Sequence, residues 1–257
     1  MGIIYIGDRN AGKTSLALEL AKEEHLVKVH PDYLTLSSRM GIINDQIEPT
    51  KAAYAFYEES LEISAQIKEG KPFGCKTFRV SWFDTPGEIW QQSWQVNPNG
   101  VINPEWLRFL DCIRNSEGIF LVLPPYRERI PANHPEAQNH PRLQQWINRF
   151  DRWVTFFRND CPNARHIVIC LNKADLFCQN LQLEANKLAY NPTKLSPTWQ
   201  ERHALVCNTY FRPILHQIAE INSNTSGLAA MCFITTTHNR ALLELPWIYM
   251  AHYLAKN

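Results

Sequence analysis

The sequence has almost no net charge to offer a polyanionic partner. Its 257 residues include 26 Lys and Arg against 25 Asp and Glu, which gives a formal net charge of +1 at pH 7. Such a balance argues against non-specific binding to nucleic acid or to an anionic membrane over the whole surface. We therefore expect nucleic acid not to be a partner of this protein.

The sequence also lacks long apolar runs. None reaches the roughly 18 residues that a membrane-spanning helix requires, and no basic segment followed by an apolar stretch is typical of a secretory signal peptide. These absences predict no membrane span and a soluble, cytoplasmic protein.

No Cys-x-x-Cys pair is present, although the chain has seven cysteines. Several of them lie inside apolar runs. This distribution favours buried, reduced thiols over a metal site or a disulfide framework.

The chain contains no internal repeat and no low-complexity tract. Short apolar runs alternate with amphipathic stretches, which predicts an α/β fold with a mainly parallel central sheet flanked by helices. The predicted strands cover 3–6, 26–29, 78–83, 118–124, 166–172 and 231–237. The predicted helices cover 13–24, 50–70, 105–116, 142–160, 198–223 (with a bend near Pro213) and 240–255. We treat residues 1–257 as a single domain with insertions near 31–72, 86–104, 124–141 and 178–198.

The helix over 50–70 is predicted from apolar residues at 53, 56, 57, 61 and 67, which have helical spacing. Gly70 would end this helix.

The stretch GDRNAGKT at 7–14 fits the pattern G-x-x-x-x-G-K-[ST] between a predicted strand and a predicted helix. Main-chain N–H groups of such a loop and the helix N-terminus attract phosphate. Lys13 would reach the β- and γ-phosphates and Thr14 would bind Mg²⁺. The alternative is a chance match in a strand–turn–helix. The candidate phosphate-binding residues are Gly7, Asp8, Arg9, Asn10, Ala11, Gly12, Lys13, Thr14 and Ser15; residues 7–14 are called the phosphate loop below.

Two further stretches follow predicted apolar strands. In DTPGE, Asp84 is placed to meet Mg²⁺ and the Gly87 N–H to meet a γ-phosphate, although Asp-x-x-Gly can also be an ordinary turn. In NKAD at 172–175, called the base loop below, the Asp175 carboxylate can accept hydrogen bonds from the ring N–H and the amine of guanine. Asn172 can tie this loop to the phosphate loop, and the Lys173 stem can lie along the base. Alternatively, the tetrapeptide is only a helix cap.

The three motifs together, in this order, resemble the P-loop GTPases of the translation-factor and small-GTPase (TRAFAC) class, of bacterial type. The resemblance implies a three-layer P-loop NTPase fold, GTP and GDP as ligands, Mg²⁺ as cofactor, and a molecular switch that hydrolyses GTP. Loosely, TTTH at 235–238 matches the family's last motif, which implies that Thr236, Thr237 and His238 lie beside the guanine.

The sequence departs from the family at two catalytic positions. For the switch I threonine that binds Mg²⁺ the candidates are Thr50 and Thr35, and we prefer Thr50, which is equally suited to be a helix N-cap. Glu88 stands where small GTPases often have a water-orienting Gln. The resemblance therefore implies Lys13, Thr50, Gly87 and Glu88 as catalytic residues, and Thr14, Thr50 and Asp84 as metal ligands, with hydrolysis that is slow or stimulated by a partner.

Asn10 matches the loop of potassium-stimulated GTPases, in which an Asn at this place helps to hold a monovalent cation near the phosphates. This implies K⁺ as a further cofactor. The alternative is an Asn tolerated at a turn position with unusual φ.

Trp90 and Trp94 crowd the region after DTPGE, where they either pack an insertion or anchor a protein partner. There are three alternatives to the hydrolysing switch. One is a regulatory GTP-binding module that hydrolyses little and works with a second protein, which could be another GTPase. The second is an ATP-using kinase or motor, against which Asp175 argues. The third, suggested only by Asn10, is an RNA-associated assembly GTPase.

Overall fold

The structure, a computed structural model, describes residues 2–8, 10–40, 57–67, 74–84, 95–96, 99–193, 197–223 and 229–255. Its strands are β1 (Gly2–Gly7), β2 (Val27–His30), β3 (Tyr57–Ile67), β4 (Gly74–Asp84), β5 (Ser116–Leu123), β6 (His166–Leu171) and β7 (Ala229–Ile234). Its helices are α1 (Lys13–Lys22), α2 (Tyr33–Arg39), α3 (Pro104–Arg114), α4 (Leu143–Asp160), α5 (Leu181–Leu188), α6 (Trp199–Tyr210), α7 (Leu215–Asn222) and α8 (Arg240–Ala255).

The seven strands form one sheet in the order β2-β3-β4-β1-β5-β6-β7. β3 is antiparallel to both of its neighbours, whereas β4, β1, β5, β6 and β7 pair in parallel. All six residues of β6 are buried, as expected for a parallel strand covered on both faces. The predicted α/β class with a mainly parallel sheet flanked by helices is confirmed.

Helices pack against the sheet in two groups. The Trp247 ring of α8 stacks on Phe120 of β5 at 4.0 Å between centroids and lies 5.6 Å from the Tyr5 ring of β1. α8 also contacts α1, while α4 contacts α3 and α7. This arrangement is compatible with three layers. Among the described residues, no helix is both long and apolar enough to cross a membrane.

The helix predicted over 50–70 is wrong wherever the structure describes that range. Residues 57–67 form β3, which pairs with β4 along its whole length. Leu61, Ile63, Ala65 and Ile67 are buried in strict alternation with polar residues that are not, and this period of two is that of a half-buried strand. Residues 50–56 and 68–70, including Gly70, lie outside the described residues.

The other predicted elements are confirmed with small shifts at their ends, and two short helices are additional. α2 lies in the predicted insertion 31–72 and α5 in the predicted insertion 178–198. The bend at Pro213 is confirmed as a short 3-10 turn, Arg212–Ile214, between α6 and α7.

Candidate functional site

The ends of five strands meet at one edge of the sheet. The register pairs Gly7 with Val122, Leu123 with Leu171, and Leu171 with Ile234. It also pairs Tyr5 with Trp82, so β1 and β4 both end two residues later, at Gly7 and Asp84 respectively. The strand order reverses at β1, since the chain first builds β2, β3 and β4 on one side and then crosses to β5 on the other. In open α/β sheets ligands bind at the carboxyl edge where the order reverses.

Close backbone packing explains the two glycines of the phosphate loop. A Cβ on Gly7 would lie 2.1 Å from the Val122 carbonyl oxygen, so any side chain there would force β1 and β5 apart. Gly12 has φ 82°, and a Cβ there would lie 2.7 Å from the Asn172 Nδ2. Asn10 has φ 59°, a left-handed conformation that Asn tolerates better than most residues. The loop therefore passes close to both β5 and the base loop.

The α1 helix begins at Lys13, within this loop, and its N-cap is Gly12, which has no side chain that could cap the helix. The first-turn N–H groups of a helix have no partner within the helix, and together with the helix dipole they form an anion-binding site. Thr14 and Ser15 lie in this turn, both half-buried.

Lys13 is buried at the start of α1. Its Nζ donates to the carbonyl oxygens of Gly7 and Asp8, each at 3.1 Å. Main-chain carbonyl groups at the start of the phosphate loop therefore hold the ammonium in place.

Asn172, only 3 % exposed, joins the phosphate loop to the base loop. Its Nδ2 donates to the Ala11 carbonyl oxygen at 2.7 Å, while its Oδ1 accepts from the Thr235 hydroxyl at 3.2 Å. The Ala174 N–H donates in turn to the Thr235 carbonyl oxygen at 3.0 Å. One buried amide thus ties together the segments that follow β1, β6 and β7.

The Asp175 carboxylate lies beside the segment 235–238. Its Oδ1 accepts a hydrogen bond from the Thr236 hydroxyl, and its Oδ2 lies 3.9 Å from the His238 Nε2. The Thr236 oxygen also accepts from the His238 N–H at 3.1 Å. Thr236 is buried, Thr237 half-buried and His238 exposed, so this segment forms one wall beside the carboxylate.

The insertion 124–141 supports the base loop from the other side, a role that the sequence did not indicate. Lys173, at φ 58°, directs its Nζ to within 3.4 Å of the Glu136 Oε2. The Arg129 guanidinium lies over the rings of Tyr210, at 4.9 Å, and Phe177, at 5.9 Å.

The Asp8 side chain points from the phosphate loop to α4. Its Oδ1 accepts from the Trp153 Nε1 at 3.0 Å, and the nearest guanidinium nitrogen of Arg149 lies 4.0 Å from its Oδ2. The Oδ2 atom is buried and has no hydrogen-bond partner among the residues that the structure describes. Burial raises the pKa of the Asp8 carboxyl, against the opposing effect of the Trp153 hydrogen bond and the nearby positive charges. Sequence spacing gives no signal for this contact, because Trp153 lies 145 positions away.

The remaining predicted site residues fall outside the part of the chain that the structure describes: Arg9, Thr50, Gly87, Glu88, Trp90 and Trp94. The other Mg²⁺ ligand candidate, Asp84, is the last residue of β4. The described part of the site is therefore the base loop, the segment 235–238 and most of the phosphate loop.

No protein-family model matches this chain, and no curated protein matches it at a significant level.

Proposed function

We propose that the protein is a GTP-binding switch that hydrolyses GTP to GDP and phosphate with Mg²⁺. The observation that carries this proposal is the buried hydrogen bond from Asn172 to the Ala11 carbonyl. This hydrogen bond fixes the distance between the phosphate loop and the base loop. A nucleotide that spans both loops requires such a fixed distance.

The phosphates would lie at the start of α1. The N-terminus of α1, with Gly12 as its N-cap, would supply main-chain N–H donors, and the Lys13 ammonium would exchange its carbonyl partners for the β- and γ-phosphates. The Thr14 hydroxyl and the Asp84 carboxylate are hard oxygen ligands of the kind that Mg²⁺ prefers. When bound, Mg²⁺ would neutralise charge on the phosphates.

Guanine specificity would come from Asp175. A carboxylate accepts but does not donate, and guanine presents two adjacent donors, its ring N–H and its amine. Adenine has no such donor pair, so the carboxylate would gain no hydrogen bonds from the base, which is unfavourable relative to guanine. The main-chain N–H groups of the segment 235–238, with Thr236, Thr237 and His238, would approach the guanine oxygen.

For hydrolysis, water would attack the γ-phosphate in line, with Thr50, Gly87 and Glu88 as the candidate residues around it. Because Glu88 replaces the usual Gln, we propose a slow intrinsic rate that a protein partner raises, with Trp90 and Trp94 as its contact residues. The same Glu88 supports the alternative, a regulatory GTP-binding module.

Nucleotide selectivity tests the binding proposal. Fluorescent GDP should be displaced by GDP and GTP at concentrations about 100-fold or more below those needed with ADP and ATP, and EDTA should weaken the binding of GTP. Equal displacement by guanine and adenine nucleotides would contradict the proposal.

Single-turnover hydrolysis separates the switch from the regulatory module. A switch should convert bound GTP to GDP at a measurable rate, whereas the module should leave GTP intact over hours.

If Asn10 holds K⁺, hydrolysis should be about tenfold faster in potassium than in sodium buffer, equivalent to about 1.4 kcal/mol. Asn10→Gly, which tolerates the same φ, should lose that difference while retaining GDP affinity. Equal rates in the two buffers would rule out the cation role.

A further inference from the structure

A group of three metal-ligating side chains lies away from the carboxyl edge of the sheet. His203 and Cys207 are four residues apart on α6, so they lie on one face of that helix, and Cys232 is in the middle of β7. One donor atom from each lies within 4.8 Å of the other two. Both cysteines are buried and His203 is half-buried.

The edge of the sheet brings these residues together. Among the strands that the structure describes, β7 pairs only with β6, so its outer N–H groups need other acceptors. The Cys232 N–H donates to the His203 Nδ1 at 3.0 Å, and the Ala230 N–H donates to the Asn222 Oδ1 at 2.6 Å. Side chains of α6 and α7 therefore cover the open edge. The hydrogen bond between the Cys232 N–H and His203 holds the imidazole next to Cys232.

We propose that His203, Cys207 and Cys232 bind a thiophilic divalent cation of the zinc class. In a tetrahedral zinc site, Zn–S and Zn–N bonds of about 2.3 and 2.0 Å place sulfur and nitrogen ligands about 3.5 Å apart. The Cys207 Sγ lies 3.6 Å from each ring nitrogen of His203. The His203–Cys207 pair therefore has the ligand spacing of a tetrahedral zinc centre, and Cys232 completes a group whose donor atoms lie within 4.8 Å of one another.

The charge balance also suits a buried site. Two thiolates cancel the charge of the divalent ion, and binding releases the two thiol protons to solvent. Two sulfurs and an imidazole select zinc over magnesium or calcium. Among the described residues no fourth His, Cys, Asp or Glu belongs to the group.

The ligand nitrogen follows from the hydrogen bond. Because Nδ1 accepts from the Cys232 N–H, the neutral ring carries its proton on Nε2. The metal ion would bind to the Nδ1 lone pair, and the hydrogen bond from the Cys232 N–H to this atom would then be lost. Zinc would then cross-link α6 to the edge strand, close to where β7 leads into the segment 235–238. This inference does not depend on GTP binding.

Cobalt serves as a spectroscopic probe of the site. Titration of the reduced, full-length protein with Co²⁺ should give thiolate-to-cobalt charge-transfer bands and intense visible bands that saturate at one ion per chain. Zn²⁺ should then displace the cobalt. Cys207→Ser and Cys232→Ser should each abolish the charge-transfer bands or weaken affinity by about 100-fold or more, because a hydroxyl is a poor ligand for these metals. Cys161→Ser, at a buried thiol outside the group, should leave the titration unchanged.

His203→Asn separates metal binding from coverage of the strand edge. An Asn oxygen can still accept the Cys232 N–H but is a weak ligand for a thiophilic ion. The thermal unfolding temperature of the metal-free variant should match that of the wild type, whereas its Co²⁺ affinity should fall about tenfold or more. If the Cys207→Ser, Cys232→Ser double variant binds cobalt as the wild type does, or if the wild type shows no charge-transfer bands, the proposal is wrong. The proposal would also be overturned if mild oxidation removed two thiols and about 2 Da while the reduced protein bound no metal. That result would assign a disulfide pair instead.

Discussion

The phosphate loop and the base loop are adjacent, yet their polar groups are used differently. In the base loop the side chains already have partners: Asn172 contacts Ala11 and Thr235, Lys173 contacts Glu136, and Asp175 contacts Thr236. The phosphate loop ends in the first turn of α1, whose N-cap residue, Gly12, has no side chain. By contrast, the N-termini of four other helices are capped by Asp32, Asn103, Asn180 and Thr198.

This difference suggests a division of labour. The base loop is assembled by the protein itself, so it can be rigid before a ligand arrives. The phosphate loop offers a helix N-terminus and a buried ammonium that donates to main-chain carbonyls, an arrangement that would suit an anion. Substitutions in the phosphate loop should therefore mainly lower nucleotide affinity. Substitutions in the base loop should also change the selectivity between nucleotides and lower the stability of the protein.

Lys13→Met should give the largest effect. Methionine retains an unbranched apolar stem but removes the ammonium, so affinity for GDP and GTP should fall by about 100-fold or more, as expected for loss of a charge-assisted contact. Fluorescent-nucleotide titration measures this, and thermal unfolding checks that the variant is folded. Unchanged affinity in a folded variant would contradict the assignment of the loop.

Asn172→Ala should affect both loops. It leaves the Ala11 carbonyl and the Thr235 hydroxyl without their partner in a buried site, at a cost of about 1–3 kcal/mol. We expect an unfolding temperature several degrees lower and about tenfold weaker GDP binding. The matched control is Asn163→Ala, since Asn163 also donates to a main-chain carbonyl, that of Arg114, but at the surface; it should change neither property.

Asp8→Asn should stabilise the protein at neutral pH. Because burial raises the pKa of Asp8 above its ordinary 3.8, the folded state holds this proton more tightly than the unfolded state. The contribution of Asp8 to the free energy of unfolding is therefore greatest below pH 3.8 and is lost as pH rises through the pKa of Asp8 in the folded state. Asparagine removes the buried charge and can still accept from Trp153. Chemical denaturation should show a stabilised variant near pH 7 and a difference that vanishes near pH 4; a gain that is the same at both pH values would mean that the charge is not its cause.

Glu136→Gln should have the smallest effect. The Lys173–Glu136 pair is partly exposed, with side chains 31 % and 47 % accessible, and such pairs contribute about 0.2–1 kcal/mol. GDP dissociation measured by stopped flow should be faster by at most about fivefold at low salt, and the difference should disappear at high salt. A larger, salt-independent change would indicate that Glu136 contacts the nucleotide.

Sequence reasoning located the loops because motif order and strand-end position are local properties. GDRNAGKT and NKAD begin 165 positions apart, but each follows a buried strand, and parallel strands bring their ends to one edge. It failed at 57–67, where the spacing of a few apolar residues suggested a helix while Leu61, Ile63, Ala65 and Ile67 alternate as in a strand. It also could not pair Asp8 with Trp153, Lys173 with Glu136, or the α6 residues with Cys232, because these contacts depend on how distant elements pack.

The most direct test of the central claim, that the base loop reads guanine, is the nucleotide preference of Asp175→Asn. Xanthine has a carbonyl where guanine has an amine, so an amide N–H at position 175 can donate to it, whereas a carboxylate is repelled. The wild-type protein should prefer GDP over XDP, and Asp175→Asn should lose about 100-fold or more in GDP affinity while binding XDP more tightly than the wild type does. If the substitution leaves the affinities for both nucleotides unchanged, Asp175 does not contact the base and the guanine assignment is contradicted.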